Sequence, residues 1–126
     1  MQREMLKSKI HRVRITRVDL DYEGSLTCDP LLLKAADILP GEKVLVANLR
    51  NGKRFETYAI KGKRGEICLN GAAARLGRVG DTIIVMAFAY MNNRQARTSP
   101  PKIVLVDKRN RIQKVNMPTY DLSDHI

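Results

Sequence analysis

The sequence contains no tryptophan, few aromatic residues of any kind and only two cysteines. Cys28 and Cys68 lie forty residues apart, without the close spacing of zinc ligands. We therefore expect two free thiols in a reducing compartment and no metal site. Because aromatic side chains are scarce, we expect an aliphatic core, and the repeated valine, isoleucine and threonine favour strands.

Long apolar runs are also absent. The longest run, residues 83–91, has nine residues, whereas a membrane-spanning helix needs about 20. The basic N-terminal residues are not followed by the apolar core of a signal peptide. We therefore expect a cytoplasmic protein without a membrane partner. Its 126 residues, of which 44% are hydrophobic and 29% charged, suit a single folded domain over residues 1–126.

Positive charge is the strongest global signal, because 23 lysines and arginines face 13 acidic residues and give a net charge of +10. A small basic β-barrel that binds nucleic acid through phosphate contacts is therefore one candidate function. The cations are spread along the chain, however, and no nucleic-acid recognition motif is present. The same positive field would attract a small dianionic substrate. A third candidate is a barrel that serves only in assembly.

The first strong pattern is an alternation over residues 9–17, which predicts a strand with Lys9, His11, Val13 and Ile15 on one face. Lys9 and His11 would then either continue an inward row that lines a cavity or reach water as charges at the strand end.

A second strand is expected over residues 19–27, followed by a helix over residues 30–37. Asp29 is a good N-cap for that helix, and Pro30 is a good first-turn residue. Next comes a predicted hairpin of strands 43–49 and 53–60, joined by an Asn-Gly turn.

In the second hairpin strand, Arg54 and Tyr58 lie four residues apart on one side. One interpretation is functional: a guanidinium for a carboxylate and a phenol for a proton transfer. The other is an ordinary solvated edge strand.

The stretch Asn70-Gly71-Ala72-Ala73-Ala74 predicts a short helix after a brief strand over residues 66–69. Its small side chains would let an anion reach exposed N–H groups, although a packed helical turn is the alternative. A buried strand over 82–90 and a strand pair over 102–107 and 112–115 follow, and residues 116–126 are expected to form a disordered tail. Many short strands with two brief helices predict a mainly β fold, a small closed barrel.

The segment Tyr22-Glu23-Gly24-Ser25 has the residues of a self-cleavage site. Gly24 has no Cβ, so the Ser25 hydroxyl can closely approach its carbonyl carbon, and an N-to-O acyl shift is sterically feasible. If the resulting ester eliminates, Ser25 becomes dehydroalanine and then, with loss of ammonia, a pyruvoyl group. Gly-Ser pairs are common by chance, so the dipeptide alone does not establish this chemistry.

Taken together, these segments resemble the aspartate 1-decarboxylases, the pyruvoyl enzymes of pantothenate synthesis. The shared motifs keep the family order over residues 1–91, and the rest of the chain resembles the family only loosely. The motifs are Met5-Leu6, Lys9, His11-Arg12-Val13, Tyr22-Glu23-Gly24-Ser25, Asn51-Gly52-Lys53-Arg54-Phe55, Thr57-Tyr58-Ala59-Ile60, Asn70-Gly71-Ala72-Ala73-Ala74 and Val79-Gly80-Asp81.

The resemblance implies a barrel of double-psi type, a homotetramer with sites at subunit interfaces, and cleavage between Gly24 and Ser25 into a β chain (1–24) and an α chain (25–126). It also implies decarboxylation of L-aspartate to β-alanine through a Schiff base on a pyruvoyl group, without metal or pyridoxal phosphate. Nucleic acid is then not an expected partner. Whether a maturation factor assists cleavage is left open.

Matching positions also imply roles for individual residues. Tyr58 would be the proton donor, while Thr57 and the run Gly71-Ala72-Ala73 would bind substrate. Arg54 and Lys9 are the candidates for the two substrate carboxylates, and Arg54 has the better bidentate geometry. Three further residues would support the site: His11, Tyr22 and Asn70.

Overall fold

The structure, a computed structural model, describes residues 1–119, which are mainly β as predicted. The strands are β1 Gln2–Arg14, β2 Arg17–Asp19, β3 Ser25–Cys28, β4 Lys43–Asn48, β5 Arg54–Lys61, β6 Ile67–Asn70, β7 Thr82–Asn92, β8 Lys102–Val106 and β9 Ile112–Asn116. The helices are α1 Pro30–Ala35, α2 Asn93–Thr98 and a 3-10 helix, Gly71–Leu76.

The strands form one curved sheet in the order β2-β6-β3-β5-β4-β7-β1-β8-β9. In a flat sheet, β2 and β1 would lie six strand spacings apart, or about 29 Å. Yet only Ile15 and Thr16 join them, and so short a link spans about 11 Å at most. The sheet must therefore curl so that β2 returns to the end of β1, where the Thr16 amide donates to the Ile67 carbonyl at 2.8 Å. This curvature is consistent with the predicted small barrel.

The core inside this curve is aliphatic, as predicted. Ile10, Leu26, Val46, Ile83 and Val85 are all fully buried there. No helix among residues 1–119 combines the length and apolar character needed to cross a membrane.

A β-bulge in β1 changes which side chains face the core. The register with β7 shifts between Ile10 and Val13, and Arg12 has a φ of +66°. The extra residue lets both Ile10 and Val13 face the core, each with no exposed surface. The prediction that Lys9 and His11 share a face with Val13 is therefore wrong. Both residues precede the residue that the bulge adds, so they lie on the face of β1 opposite to Val13.

The segment before Cys28 also differs from the prediction. The expected strand over 19–27 is two strands, β2 and β3, separated by a turn that contains Gly24. The following helix is confirmed, with the Asp29 carboxylate accepting from the Leu31 amide at 2.8 Å. It ends at Ala35, two residues early, because Asp37 adopts a φ of +55°.

Downstream, the β4–β5 hairpin is confirmed, with Gly52 at a φ of +72° in its turn. The strand predicted as buried over 82–90 is buried on one face only in its first half, and Phe88 and Tyr90 near its end are exposed. Beyond Met86, the described strands leave β7 paired only with the start of β1, so water reaches this two-stranded ribbon.

Helix α2 was not predicted. Its capping box pairs Asn92 with Gln95, and that spacing was the available sequence signal. The final strand pair is confirmed as β8 and β9. Strand β9 extends to Asn116, where the disordered tail was expected to begin, and residues 120–126 of that expected tail lie outside the described residues.

Candidate active site

Ser25 is the first residue of β3, and its side chain is fully buried. It pairs with Asn70 on β6, while the next residue, Leu26, pairs with Ala59 on β5. The site is therefore built where a turn enters a strand that is flanked on both sides. Such a position holds the serine backbone rigidly while leaving the preceding turn free of strand pairing.

Side-chain hydrogen bonds hold the Ser25 hydroxyl from two directions. Its Oγ donates to the Glu23 carbonyl at 3.2 Å and accepts from Asn70 Nδ2 at 2.9 Å. The second N–H of Asn70 donates to Thr27 Oγ1 at 2.8 Å, and Cys68 Sγ donates to Asn70 Oδ1 at 3.2 Å. Asn70 thus connects three neighbours and keeps the hydroxyl directed towards the turn that ends at Gly24.

Gly71 allows the 3-10 helix to touch this turn. Its φ is +62°, and a Cβ at this position would lie 2.8 Å from Gly24 Cα and 3.1 Å from the Tyr22 carbonyl oxygen. Gly24 itself has open space where its Cβ would stand, with no heavy atom of the described residues within 4 Å apart from its own chain neighbours. Packing therefore demands glycine at position 71, whereas at position 24 the absent side chain leaves the peptide before Ser25 uncovered. Along the helix, Ala72 is exposed and Ala73 is buried.

Strand β5 presents Arg54 and Tyr58 on one exposed face, as predicted. Leu26 and Ala59 are paired and face the core, so their preceding neighbours, Ser25 and Tyr58, both point to the opposite side. Tyr58 is 38% exposed, which leaves its phenol free to meet a ligand. Thr57 is half-buried and faces the other way from Tyr58.

Lys9 and His11 do not join Ser25 within one chain. Neither residue hydrogen-bonds Ser25 or Asn70 among the described residues, and neither lines the cavity that opens beside Asn70. Burial, followed by the positive charges of Lys9 and Arg12, lowers the pKa of His11, whose buried Nδ1 has no hydrogen-bond partner among residues 1–119. Both effects favour the neutral imidazole.

A cavity of about 380 Å³ opens beside Asn70. Its walls include Tyr22, which is half exposed, together with Thr27 and Cys68. Sequence reasoning missed Thr27 and Cys68. The available sequence signal was the alternation of side chains between the two faces of a strand, because Cys68 and Asn70 are two residues apart on β6 and share a face. No group of three metal-ligating side chains occurs within the described part of the chain.

The far end of the 3-10 helix is fixed by Asp81. Its buried carboxylate accepts from Arg50 Nε at 2.6 Å, Asn48 Nδ2 at 2.9 Å and the Arg78 amide at 2.9 Å. The hydrogen bond from Arg50 is the main reason that the Asp81 pKa falls to about 2. Asn48 Nδ2 also donates to the Leu76 carbonyl at 3.1 Å, so the charge network holds the helix that touches Gly24.

Comparisons with known proteins agree on one family. A family model described as aspartate decarboxylase matches residues 1–113. A protein named aspartate 1-decarboxylase from Thermoanaerobacter pseudethanolicus is 54% identical over 93% of this chain and 100% of its own length. Proteins of the same name from Pelotomaculum thermopropionicum and Caldicellulosiruptor saccharolyticus are 58% and 55% identical, covering 88% and 90% of this chain and 86% and 90% of their own lengths.

Proposed function

The chain belongs to the aspartate decarboxylase family, and we propose that it converts L-aspartate to β-alanine and carbon dioxide with a pyruvoyl group made from its own Ser25. The setting of Ser25 carries this proposal. A buried hydroxyl, held by Asn70, directly follows a glycine whose peptide is uncovered. Two free cysteines suit a cytoplasmic setting for the reaction.

Formation of the group begins at the bond between Gly24 and Ser25. The Ser25 Oγ attacks the Gly24 carbonyl carbon, the C–N bond breaks, the hydroxyl proton passes to the departing nitrogen, and an ester forms. Elimination releases residues 1–24 with a carboxylate at Gly24 and leaves dehydroalanine at position 25. Water then replaces its nitrogen, which departs as ammonia. These residues fit that role because the Asn70 N–H donates to Ser25 Oγ and so stabilises this oxygen when the hydroxyl gives up its proton before attack, and Gly71 lets the turn lie close.

The pyruvoyl carbonyl supplies an electrophile for the substrate amine and a sink for the electrons left by carbon dioxide. The chain's own residues position the substrate and move the proton. Tyr58 shares the face of Ser25, and its phenol donates the proton to the carbon that has lost carbon dioxide. Arg54, on the same face of β5, pairs with a substrate carboxylate, and the backbone of Gly71-Ala72-Ala73 borders the substrate. The resemblance also assigns Thr57 to substrate binding, but its side chain points to the opposite face of β5.

Lys9 enters the site from a second copy of the chain. Lys9 is not among the described residues that line the cavity beside Asn70, which supports a homotetramer in which each site lies between subunits. The exposed aromatic side chains of Phe88 and Tyr90, on the ribbon formed with β1, are suited to burial in such an assembly. His11, also on β1, supports the same site from the second copy.

The proposal predicts that the purified protein releases carbon dioxide from L-aspartate and that a Ser25→Ala variant does not, because it lacks the nucleophilic oxygen. Release of carbon dioxide is followed with aspartate labelled in its α-carboxyl group. In parallel, binding to mixed DNA and RNA is measured across a salt series. The positive charge should give only weak binding that disappears at moderate salt. Salt-resistant nucleic-acid binding without decarboxylation would instead favour the nucleic-acid-binding function.

A further inference from the structure

The side-chain amide of Asn70 ends in an oxygen and a nitrogen of similar size, and which of the two faces Ser25 matters for the chemistry there. Its Nδ2 faces the hydroxyls of Ser25 and Thr27, and its Oδ1 faces Cys68. Hydroxyl groups both donate and accept, so Ser25 and Thr27 do not by themselves select which end faces them. The only donor that reaches Oδ1 among the described residues is the Cys68 thiol.

The Cys68 thiol is suited to this task. Its side chain is 1% exposed, and its other acceptor, the Leu69 carbonyl, is more distant, at 3.9 Å against 3.2 Å for Asn70 Oδ1. Burial is the main reason that the pKa of Cys68 is raised, so the thiol keeps its proton at neutral pH and acts as a donor. Cys28, by contrast, faces the core on the paired strand and makes no contact with Asn70 among these hydrogen bonds.

A reversed amide would change the chemistry at Ser25. The Ser25 proton would then be donated to Oδ1, and the oxygen would lose the N–H donor that stabilises its negative charge when the hydroxyl is deprotonated before it attacks Gly24. We propose that Cys68 is a positioning residue for self-cleavage, whose thiol fixes the Asn70 amide with Nδ2 towards Ser25. The inference rests on the proposed function, since it concerns the formation of the pyruvoyl group.

The test compares cleavage rates of the full chain, made by brief cell-free synthesis and followed by mass spectrometry. Cys68→Val keeps a similar volume but removes the donor, and cleavage should slow about fivefold or more, as expected for one lost hydrogen bond to a buried group. Cys68→Ser restores a donor and should cleave within about twofold of the parent chain. Cys28→Val is the same substitution at the cysteine that faces the core, and this variant should cleave at the parent rate.

Melting temperatures of the same substitutions, made in an uncleavable Ser25→Ala background, separate folding from positioning. If Cys68→Val does not accumulate as folded chain, Cys68→Ala takes its place. Parent-like cleavage of the donor-free variant, or a Cys68→Ser variant as slow as Cys68→Val, would overturn the role of the thiol. A parent chain that never cleaves would instead refute the proposed function itself.

Discussion

At the scale of single residues, two glycines that meet at the site have different tasks. Gly71 is required by space and by its positive φ, because a Cβ there would collide with Gly24. Gly24 has ample space, so its value lies in the exposed peptide that Ser25 attacks in the proposed self-cleavage. The pair explains why the helix that begins at Gly71 can press against the turn without covering the bond that we propose is cleaved.

A Gly71→Ala substitution should slow self-cleavage on the order of tenfold, because the added methyl must displace the turn. Gly52→Ala is the matched control. Gly52 has a similar φ, +72° against +62°, but nothing lies within 4 Å of its Cβ position. The control should lose a little stability and cleave normally. Cleavage is read by gel and mass; equal rates for the two variants would show that the contact at Gly71 is irrelevant.

Replacement of Tyr58 by phenylalanine removes the proposed proton donor and keeps the ring. Turnover of L-aspartate should fall by roughly two to four orders of magnitude, while cleavage at Ser25 continues. Tyr90→Phe, at a tyrosine that is 72% exposed on the β1–β7 ribbon, should leave proton transfer intact. Steady-state rates are compared on fully cleaved protein. Near-normal turnover by Tyr58→Phe would assign the proton to another group.

At the scale of elements, the 3-10 helix is held at both ends by contacts outside itself. Gly71 packs against the turn at one end, and Asn48 reaches the Leu76 carbonyl at the other. Asp81 organises the second contact through its hydrogen bonds with Asn48 and Arg50. So short a helix cannot fix its own position, and these anchors determine where its small residues stand relative to Ser25.

An Asp81→Asn variant should be less stable at neutral pH by about 2 kcal/mol, because it weakens a buried network. The pKa of Asp81 falls from 3.8 to about 2 on folding, so its carboxylate stabilises the fold above pH 3.8 and loses that effect as the pH falls towards 2. The gap between parent and variant should therefore shrink over that range. Urea unfolding at several pH values measures it.

Glu56→Gln, in an exposed ion pair with Lys43, is the control and should change stability by less than about 1 kcal/mol. A stability gap between the parent and Asp81→Asn that stays constant down to pH 2 would contradict the role given to the Asp81 carboxylate.

At the scale of the whole molecule, local signals predicted the features that depend on neighbours in sequence. The Asp29 cap, the Asn-Gly hairpin turn and the shared face of Arg54 and Tyr58 are of this kind. The bulge at Arg12 was not predictable, because it arises from the register of β1 with β7.

The candidate site also combines residues that local sequence identified with residues whose role depends on the fold. Ser25 and Asn70 were identified as motif residues, and the structure brings them within hydrogen-bonding distance. Cys68 was read only as a free thiol, because its contact with Asn70 matters for the site only once the pairing of β3 with β6 brings Ser25 beside Asn70. Lys9 was assigned to the site by resemblance, and within one chain it is not among the described residues that line the cavity beside Asn70. Its proposed contribution depends on assembly, which the alternation of side chains along one strand does not encode.

Every step proposed for this protein depends on one chain becoming two, and the intact mass of the active, denatured protein measures this most directly. We expect two fragments, residues 1–24 and 25–126. The larger should be lighter than a serine-terminated chain by one ammonia molecule, because water replaces the hydroxyl oxygen that leaves with Gly24 and the nitrogen departs as ammonia. A preparation that decarboxylates L-aspartate fully as one uncleaved chain, or with serine at the new terminus, would contradict it.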